Sequence, residues 1–341
     1  MKEKKVFRIL SIDGGGIKGL YSASILEKFE KTFNCLTSDH FDMIAGTSTG
    51  GLIALAISLK IPANKICDFY TENGHLIFPK SKKVKIPFLG TIDYSYFKQI
   101  AKGGKYSDSG LKKALEKIFL DNTIKDSNNL LCIPSYSVTE AKPKVFKYDH
   151  TKGKLSRDNN APMVDIALAT SAAPTFFPLA ESEFYNNEQF IDGGVWANNP
   201  TLVGLLEGLN YFVGNDKEYD SIDILSLSSL SIVGGKKTGL KRNRSFKDWG
   251  AELFETSMNG QSFFTDFFLS KITEIFKVKI NYIRIPSVSV SKEQESLVQL
   301  DIANINAYDL MKIKALDQAL IFEKKSDIIK LFTTPKTFII K

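Results

Sequence analysis

Short apolar runs alternate with amphipathic stretches along the first part of the chain. The apolar run Val6–Ile12 is typical of a buried parallel strand, and Leu20–Phe33 has the spacing of a helix. A second apolar run, Phe41–Gly46, is followed by another helical stretch, Leu52–Leu59. Strands that alternate with helices in this way indicate an α/β fold with a largely parallel sheet.

Further elements are predicted along the rest of the chain, with one basic, irregular loop over 79–90. Helices are predicted over 62–76, 109–120, 163–171, 248–276 and 307–322, and strands over 130–139, 144–148, 222–227 and 279–285, with one more ending at Asp192. The sequence contains no repeat and no clear linker. We therefore predict a single domain over 1–341, with a motif-bearing core over about 6–230 and a helical C-terminal part over about 246–341.

The composition is that of an ordinary globular protein, with 43% hydrophobic and 24% charged residues in 341. No apolar run is long enough to span a membrane, and the N-terminus lacks the apolar core of a signal peptide. The cysteines Cys35, Cys67 and Cys132 are widely spaced, which argues against a disulfide framework or a zinc site. We expect a cytoplasmic protein that needs no cofactor and no metal.

The net charge of +7 is concentrated in basic clusters at 80–85, 102–105 and 236–244. Such clusters attract phosphates, although solvated lysine-rich loops are the favoured interpretation. The region 80–105 is a candidate lid or insertion, and 236–245 is a candidate mobile loop. No motif for reading a nucleic acid polymer accompanies these clusters.

A nucleophile elbow is predicted where the second strand meets its helix, at Gly46-Thr47-Ser48-Thr49-Gly50. Glycines two positions before and after Ser48 remove the Cβ clashes that a sharp turn would create. The serine hydroxyl would then stand at the start of a helix, whose dipole favours negative charge. A glycine-rich turn with an incidental serine is the alternative interpretation.

The first strand ends in a glycine loop, Asp13-Gly14-Gly15-Gly16-Ile17-Lys18-Gly19, which has two interpretations. It matches a dinucleotide-binding fingerprint, but the second strand lacks the acid that would hold a ribose, and Asp13 would repel a pyrophosphate. This disfavours an oxidoreductase. Alternatively, the amides of Gly14, Gly15 and Gly16 form an oxyanion hole. Lys18 then adds positive charge, or is simply a surface lysine in the first helical turn.

A serine nucleophile needs a base, and none of the chain's three histidines is placed to supply one. His40 precedes the elbow strand, His75 ends a helix, and His150 lies in a polar turn. The best candidate is Asp192, which ends a strand in Asp192-Gly193-Gly194. An ordinary turn residue is the alternative interpretation of Asp192 when it is considered alone.

Together the three motifs resemble the patatin-like phospholipase family, and the resemblance extends to Ser171–Pro178 and Asn198–Pro200. The resemblance implies a three-layer α/β/α sandwich and a catalytic dyad of Ser48 and Asp192 without histidine. It also implies an oxyanion hole at Gly14–Gly16, with Lys18 where the family has arginine or lysine, and metal-free hydrolysis of phospholipid acyl esters. Leu225–Ser229 departs from the Gly-Thr-Gly ending of many relatives. A non-catalytic storage or binding protein is disfavoured because every motif residue is intact.

The resemblance also suggests how substrate and regulator are reached. We expect peripheral contact with the inner face of the membrane. The Phe-rich stretch Ser262–Phe276 is consistent with an interfacial helix, but ordinary core burial is the favoured interpretation. Bacterial enzymes of this kind include anti-phage effectors switched on by cyclic nucleotides, so the basic loops are candidate activator sites. A homo-oligomer is compatible with the sequence.

Overall fold

The computed structural model describes residues 5–79, 83–86, 90–93, 104–153, 155–231, 238–250, 252–272 and 275–340. Much of the predicted lid at 80–105 therefore lies outside the described residues, as do residues 236–237 of the third basic cluster. The predictions for those residues stay predictions.

Most of the strands belong to one central sheet of eight strands, and the other two form a separate hairpin. The strands are β1 (Val6–Ile12), β2 (Met43–Gly46), β3 (Lys83–Ile86), β4 (Gly90–Asp93), β5 (Leu130–Ser137), β6 (Lys142–Lys147), β7 (Ala180–Ser182), β8 (Glu188–Asp192), β9 (Ser221–Leu227) and β10 (Lys279–Ile285). The hairpin pairs β3 with β4 in antiparallel fashion.

Helices account for most of the remaining regular structure. The helices are α1 (Gly19–Phe33), α2 (Thr49–Ser58), α3 (Ala63–Ile77), α4 (Ser109–Phe119), α5 (Met163–Ser171), α6 (Gly194–Ala197), α7 (Thr201–Tyr211), α8 (Phe246–Trp249), α9 (Glu252–Ile272), α10 (Ile305–Phe322) and α11 (Ser326–Thr333). In the described ranges, none of them combines the length and the apolar content needed to cross a bilayer.

The central sheet is mixed, with the order β10-β9-β1-β2-β5-β8-β7 and with β6 paired to β5. The strands from β10 to β5 run parallel, whereas β6, β7 and β8 run antiparallel to their neighbours. The predicted α/β fold with a mostly parallel sheet is therefore confirmed. The antiparallel strands at one end of the sheet bring the chain back toward the elbow.

Both faces of the sheet are covered by helices, as three layers require. In β1, Leu10 and Ile12 join a core that includes α1 and α2, while Phe7 and Ile9 join a second core with Leu205 of α7. The alternation arises because successive side chains of a strand point to opposite faces. The predicted three-layer sandwich is confirmed.

Three short elements differ from the sequence-based predictions. Residues predicted as an irregular loop include β3, whose Lys-Val-Lys-Ile alternation fits a strand although its charge suggests a loop. Neither β7 nor α11 was predicted. β7 has only three residues, and such a short strand gives no periodic signal.

The Phe-rich helix contradicts the favoured interpretation of core burial. In α9 the described buried side chains are Met258, Thr265 and Leu269. Phe263, Phe264 and Phe267 are 74%, 61% and 53% exposed. The prediction was wrong because a phenylalanine-rich helix was assumed to bury its most apolar face, whereas the buried stripe follows the smaller residues.

A C-terminal segment crosses the amino-terminal ends of β1 and β2. The buried carboxylate of Asp42 accepts hydrogen bonds from the amide of Arg8 at 2.7 Å and from those of Thr337 and Phe338 at 2.9 and 2.7 Å. The Nη1 atom of Arg8 donates to the carbonyl of Pro335 at 3.0 Å. These bonds fasten residues 334–338 to the end of the sheet that lies opposite the elbow.

Candidate active site

Ser48 occupies a strained backbone conformation between β2 and α2, with φ 54° and ψ −125°. A non-glycine residue at positive φ is uncommon and is typical of a nucleophile elbow. A Cβ atom at Gly50 would lie 2.2 Å from the carbonyl oxygen of Ile12, and one at Gly46 would lie 2.1 Å from that of Gly50. Both glycines are therefore required by close backbone approach.

The hydroxyl of Ser48 donates a hydrogen bond to Oδ2 of Asp192 at 2.6 Å. The other carboxylate oxygen, Oδ1, accepts from the amide of Gly194 at 2.7 Å. Gly193 packs against β5, where an added Cβ atom would lie 2.3 Å from the carbonyl oxygen of Pro134. The structure thus brings together the two residues of the predicted dyad, and the glycines that follow Asp192 position it.

Strand register explains how residues 144 positions apart meet. Ala45 of β2 is level with Cys132 of β5, and Ser135 of β5 is level with Asp192 of β8. Three residues beyond the first pair, the same parallel register places Ser48 level with Ser135. Asp192 reaches this level from the opposite direction, because β8 is antiparallel to β5.

Burial raises the pKa of Asp192 from its ordinary value of 3.8 to about 7. The hydrogen bonds from Ser48 and Gly194 lower it, but less than the loss of water raises it. A carboxylate with this pKa is a stronger base than a solvated aspartate and is about half ionised at neutral pH. It is therefore suited to accept the proton of a serine hydroxyl.

Thr170 is a site residue that the sequence did not reveal. Its hydroxyl oxygen accepts from the amide of Ser48 at 2.9 Å and donates to the carbonyl of Pro134 at 2.6 Å. This bridge fixes the backbone of the elbow to β5. Thr170 is buried in the mostly apolar α5, where nothing in the sequence distinguishes it from a core residue.

The three backbone amides of the glycine loop differ in their hydrogen bonding. The amide of Gly14 donates to the carbonyl of Asn198 at 3.0 Å. Within the described part of the chain, the amides of Gly15 and Gly16 have no protein acceptor, and both residues line the same cavity as Ser48 and Asp192. Two of the three predicted donors are thus free to bind a developing oxyanion.

Asp13 forms a buried ion pair that the sequence did not predict. Its carboxylate oxygens accept from Nη1 and Nη2 of Arg284 at 2.8 and 2.6 Å. Arg284, on β10, also donates to the hydroxyl of Ser226 at 2.7 Å. Burial raises the pKa of Asp13, and the adjacent guanidinium opposes that rise. The predicted repulsion of an anion by Asp13 is therefore reduced by its counter-charge.

Lys18 is buried beside the glycine loop, with 7% of its surface exposed. The alternative interpretation as a surface lysine is therefore wrong. Its pKa is lowered because burial disfavours the charged form, and the nearby charge of Glu255 partly opposes this. An added Cβ atom on Gly15 would lie 3.5 Å from Cε of Lys18. The end of the Lys18 side chain therefore lies close to the glycine loop.

An apolar cavity of about 580 Å³ opens above the dyad. Ser48, Asp192 and the two free glycine amides provide its polar floor. The rest of the lining consists mainly of hydrophobic side chains, among them Leu52, Phe69, Ile77, Phe78, Leu111, Phe176, Phe177, Phe254, Met258 and Leu300. Such a lining suits a hydrocarbon chain whose polar end lies at the serine.

None of the three histidines reaches Ser48. His150 contacts Glu207 through Nε2 at 2.9 Å, and Nδ1 of His40 contacts the carbonyl of Thr334 at 2.9 Å. His75 is exposed on α3. The prediction that no histidine serves as the base agrees with these positions.

Three of the basic residues in two of the predicted clusters already have acidic partners. Lys105 forms an ion pair with Asp301 at 2.6 Å. Lys241 pairs with Asp248 at 3.3 Å, and Arg244 contacts Glu252 at 3.0 Å. These three cations are therefore poor candidates for binding a phosphate.

Comparison with known proteins identifies the family. The family model described as patatin-like phospholipase matches residues 10–205, which include the glycine loop, the elbow and Asp192. The chain belongs to the patatin-like phospholipase family. This membership confirms the predicted class of enzyme, a lipid-hydrolysing esterase.

Curated members of the patatin-like family resemble this chain over much of its length. It is 29% identical over 306 residues to a cGAMP-activated phospholipase of Pseudomonas aeruginosa, covering 90% of this chain and 86% of that protein. It is 30% identical to patatin-like protein 2 of Arabidopsis thaliana, covering 89% and 80%. A cGAMP-activated phospholipase of Vibrio cholerae is 33% identical, covering 60% of this chain and 58% of that protein.

Gly50→Ala should disrupt the elbow, because the new Cβ atom would clash with the backbone carbonyl of Ile12. We expect a fall of about 3 kcal/mol in the free energy of unfolding and a loss of reactivity at Ser48. Gly260→Ala on α9 is the matched control, since no heavy atom lies within 4 Å of its added Cβ. Denaturant titration measures the free energy of unfolding of both variants. An equal loss of stability in the two would contradict this account.

Proposed function

We propose that this protein hydrolyses acyl esters of phospholipids through a Ser48–Asp192 dyad and an acyl-enzyme intermediate. The observation that carries the proposal is the 2.6 Å hydrogen bond from Ser48 to Asp192 at the floor of an apolar cavity. Family membership supports the same reaction class.

In the proposed reaction, Asp192 accepts the hydroxyl proton of Ser48 as Oγ attacks the ester carbonyl carbon. The tetrahedral intermediate collapses by releasing the lysophospholipid alcohol, which takes a proton from Asp192. Water then attacks the acyl-enzyme and gives a proton to Asp192. The bond from Oγ of Ser48 to the acyl carbon breaks, Oγ takes that proton back from Asp192, and a fatty acid is released. The raised pKa of Asp192 supports both directions of proton transfer near neutral pH.

The amides of Gly15 and Gly16 are the proposed oxyanion donors. They face the cavity and have no acceptor among the described residues, whereas the Gly14 amide is bonded to Asn198. The loss of one such donor typically costs about 3 kcal/mol of transition-state stabilisation. We assign Gly14 a packing role, because an added Cβ atom would lie 2.5 Å from Oδ1 of Asn198.

Ser48→Ala is expected to lower the kcat for phospholipid hydrolysis by about 10³-fold or more, because the nucleophile is lost. Covalent labelling by a fluorophosphonate should disappear with it. Ser58→Ala, on the same helix, is the matched control, since that buried hydroxyl donates only to the carbonyl of Leu55 at 2.7 Å. Full activity of Ser48→Ala would exclude the dyad. Wild-type protein that neither labels nor hydrolyses, even with cyclic dinucleotides added, would favour a non-catalytic binding protein.

The pH dependence follows from the raised pKa of Asp192. Only the ionised carboxylate accepts the serine proton, so kcat/KM should fall about tenfold per pH unit below a midpoint near 7. The rate of fluorophosphonate labelling should follow the same curve, and circular dichroism at each pH should confirm that the protein remains folded. A midpoint near 4 in both measurements would mean that the base is a carboxylate with an ordinary pKa.

We also propose that the exposed aromatic face of α9 rests on a phospholipid bilayer. Phe263, Phe264 and Phe267 lie on adjacent positions of the helical surface, and the rings of Phe263 and Phe267 stack with centroids 6.4 Å apart. The exposed Lys271 and Lys277 follow them and suit anionic head groups. An interfacial helix of this composition would bring the cavity to its substrate.

Phe263→Ala combined with Phe267→Ala should weaken binding to phosphatidylglycerol vesicles about tenfold, because two large apolar side chains no longer enter the interface. Labelling of Ser48 in solution should persist. Phe184→Ala is the control: Phe184 is 40% exposed, but it adjoins β7, at the opposite edge of the sheet from β10 and α9. If the wild type, the double variant and Phe184→Ala cosediment equally with vesicles, this face of α9 is not the membrane contact.

A cyclic dinucleotide is the proposed activator. The support is the likeness to relatives named cGAMP-activated phospholipases, the first of which matches over 90% of this chain. Cyclic di- and trinucleotides should raise the melting temperature and the phospholipase rate, and light scattering will show whether the oligomeric state changes. Constitutive activity with no thermal shift would contradict activation.

A further inference from the structure

A second cavity, of about 910 Å³, lies on the other side of the glycine loop from the apolar one. Gly15 and Met258 line both cavities, so the loop separates them. The second lining is more polar than the first and includes Lys18, Ser228, Ser229, Ser231, Arg284 and Ser287. The residues that follow β9 contribute a cluster of hydroxyl groups at this edge.

Lys18 provides a cation without a fixed partner in this cavity. It is 7% exposed, and among the described residues no carboxylate lies within 4 Å of its ammonium group. A buried charge without a counter-ion is costly, so binding of an anion would relieve a penalty that the free protein carries. The lowered pKa of Lys18 is consistent with this incomplete compensation.

Two buried serine hydroxyls beside the loop are available as donors. Oγ of Ser228 is buried and has no hydrogen-bond partner among the residues that the structure describes. Oγ of Ser229 makes only a 3.4 Å contact with the carbonyl of Leu230, and a Cβ atom on Gly15 would lie 2.1 Å from it. The segment Leu225–Ser229, which departs from the family pattern, thus supplies hydroxyls against the glycine loop.

The charges in the cavity limit how much negative charge a ligand can carry. Arg284 is already bound to Asp13, and Asp266 accepts from the hydroxyl of Tyr282 at 2.9 Å. The two cations of the lining, Lys18 and Arg284, therefore balance the two carboxylates. A singly charged phosphodiester adds one anion beside Lys18, whereas a more highly charged phosphate would face Asp13 and Asp266 as well.

We infer that this cavity binds the phosphodiester of a phospholipid head group while the acyl chain occupies the apolar cavity. The inference rests on the proposed hydrolysis at Ser48. In a glycerophospholipid, only the glycerol unit separates the phosphate from the ester, and the two cavities likewise adjoin each other at Gly15 and Met258. The phosphate contacts would thus hold the ester carbonyl at the free amides of Gly15 and Gly16 and select phospholipids over neutral glycerolipids.

The test compares phosphatidylglycerol with diacylglycerol of identical acyl chains in the same detergent micelles. Wild-type protein should show a kcat/KM about tenfold or more higher for the phospholipid, as expected for hydrogen bonds to a charged group. Ser228→Ala combined with Ser229→Ala should lower that ratio about tenfold, and so should Lys18→Met. Ser58→Ala and Lys312→Met, at an exposed position of α10, should leave the ratio unchanged.

Inhibition of the wild-type protein provides a second test that does not depend on whether a variant folds. Glycerophosphoglycerol should inhibit phosphatidylglycerol hydrolysis competitively, whereas glycerol should not. Equal kcat/KM for the two lipids, or an unchanged ratio in the folded double variant, would overturn the inference. Loss of a cyclic-dinucleotide thermal shift in that variant, with its lipid preference intact, would assign the cavity to a nucleotide phosphate instead. Absence of both labelling and hydrolysis, with and without the cyclic dinucleotides, would refute the dyad itself.

Discussion

Desolvation of one carboxylate is the constraint on which the site depends. Asp192 is 1% exposed and has two hydrogen-bond donors, Ser48 and Gly194, with no cation in contact among the described residues. Water or an arginine beside it would return its pKa toward that of an ordinary acid. The apolar cavity therefore has two effects, since the lining that accommodates a hydrocarbon chain also makes the carboxylate basic enough to replace histidine.

The sequence predicted the parts of the site that depend on local geometry. The elbow, the glycine loop and Asp192 are each a strand followed by a turn, so residue type and spacing specify them. It could not predict Thr170, whose role depends on where α5 crosses the elbow. Nor could it pair Asp13 with Arg284, which are 271 residues apart and meet only because β10 lies beside β9.

The fold was predictable to a similar extent. Periodicity identified the parallel strands and their helices, and it placed β10 correctly. It did not show that β8 runs antiparallel, because strand direction is set by tertiary contacts. It also led to the wrong prediction for the aromatic face of α9, because hydrophobicity alone does not distinguish a side chain that packs in the core from one that stays exposed.

The C-terminal segment over the amino-terminal ends of β1 and β2 has a consequence for the order of synthesis. Thr337, which donates to Asp42, is translated 295 residues after it, and Arg284 also reaches Asp13 long after the glycine loop has been made. Until those residues emerge from the ribosome, two buried carboxylates lack their partners. A nascent chain therefore contains the proposed nucleophile, Ser48, early but completes the surrounding structure late. The lipid-degrading enzyme is thus not assembled before most of it has been translated.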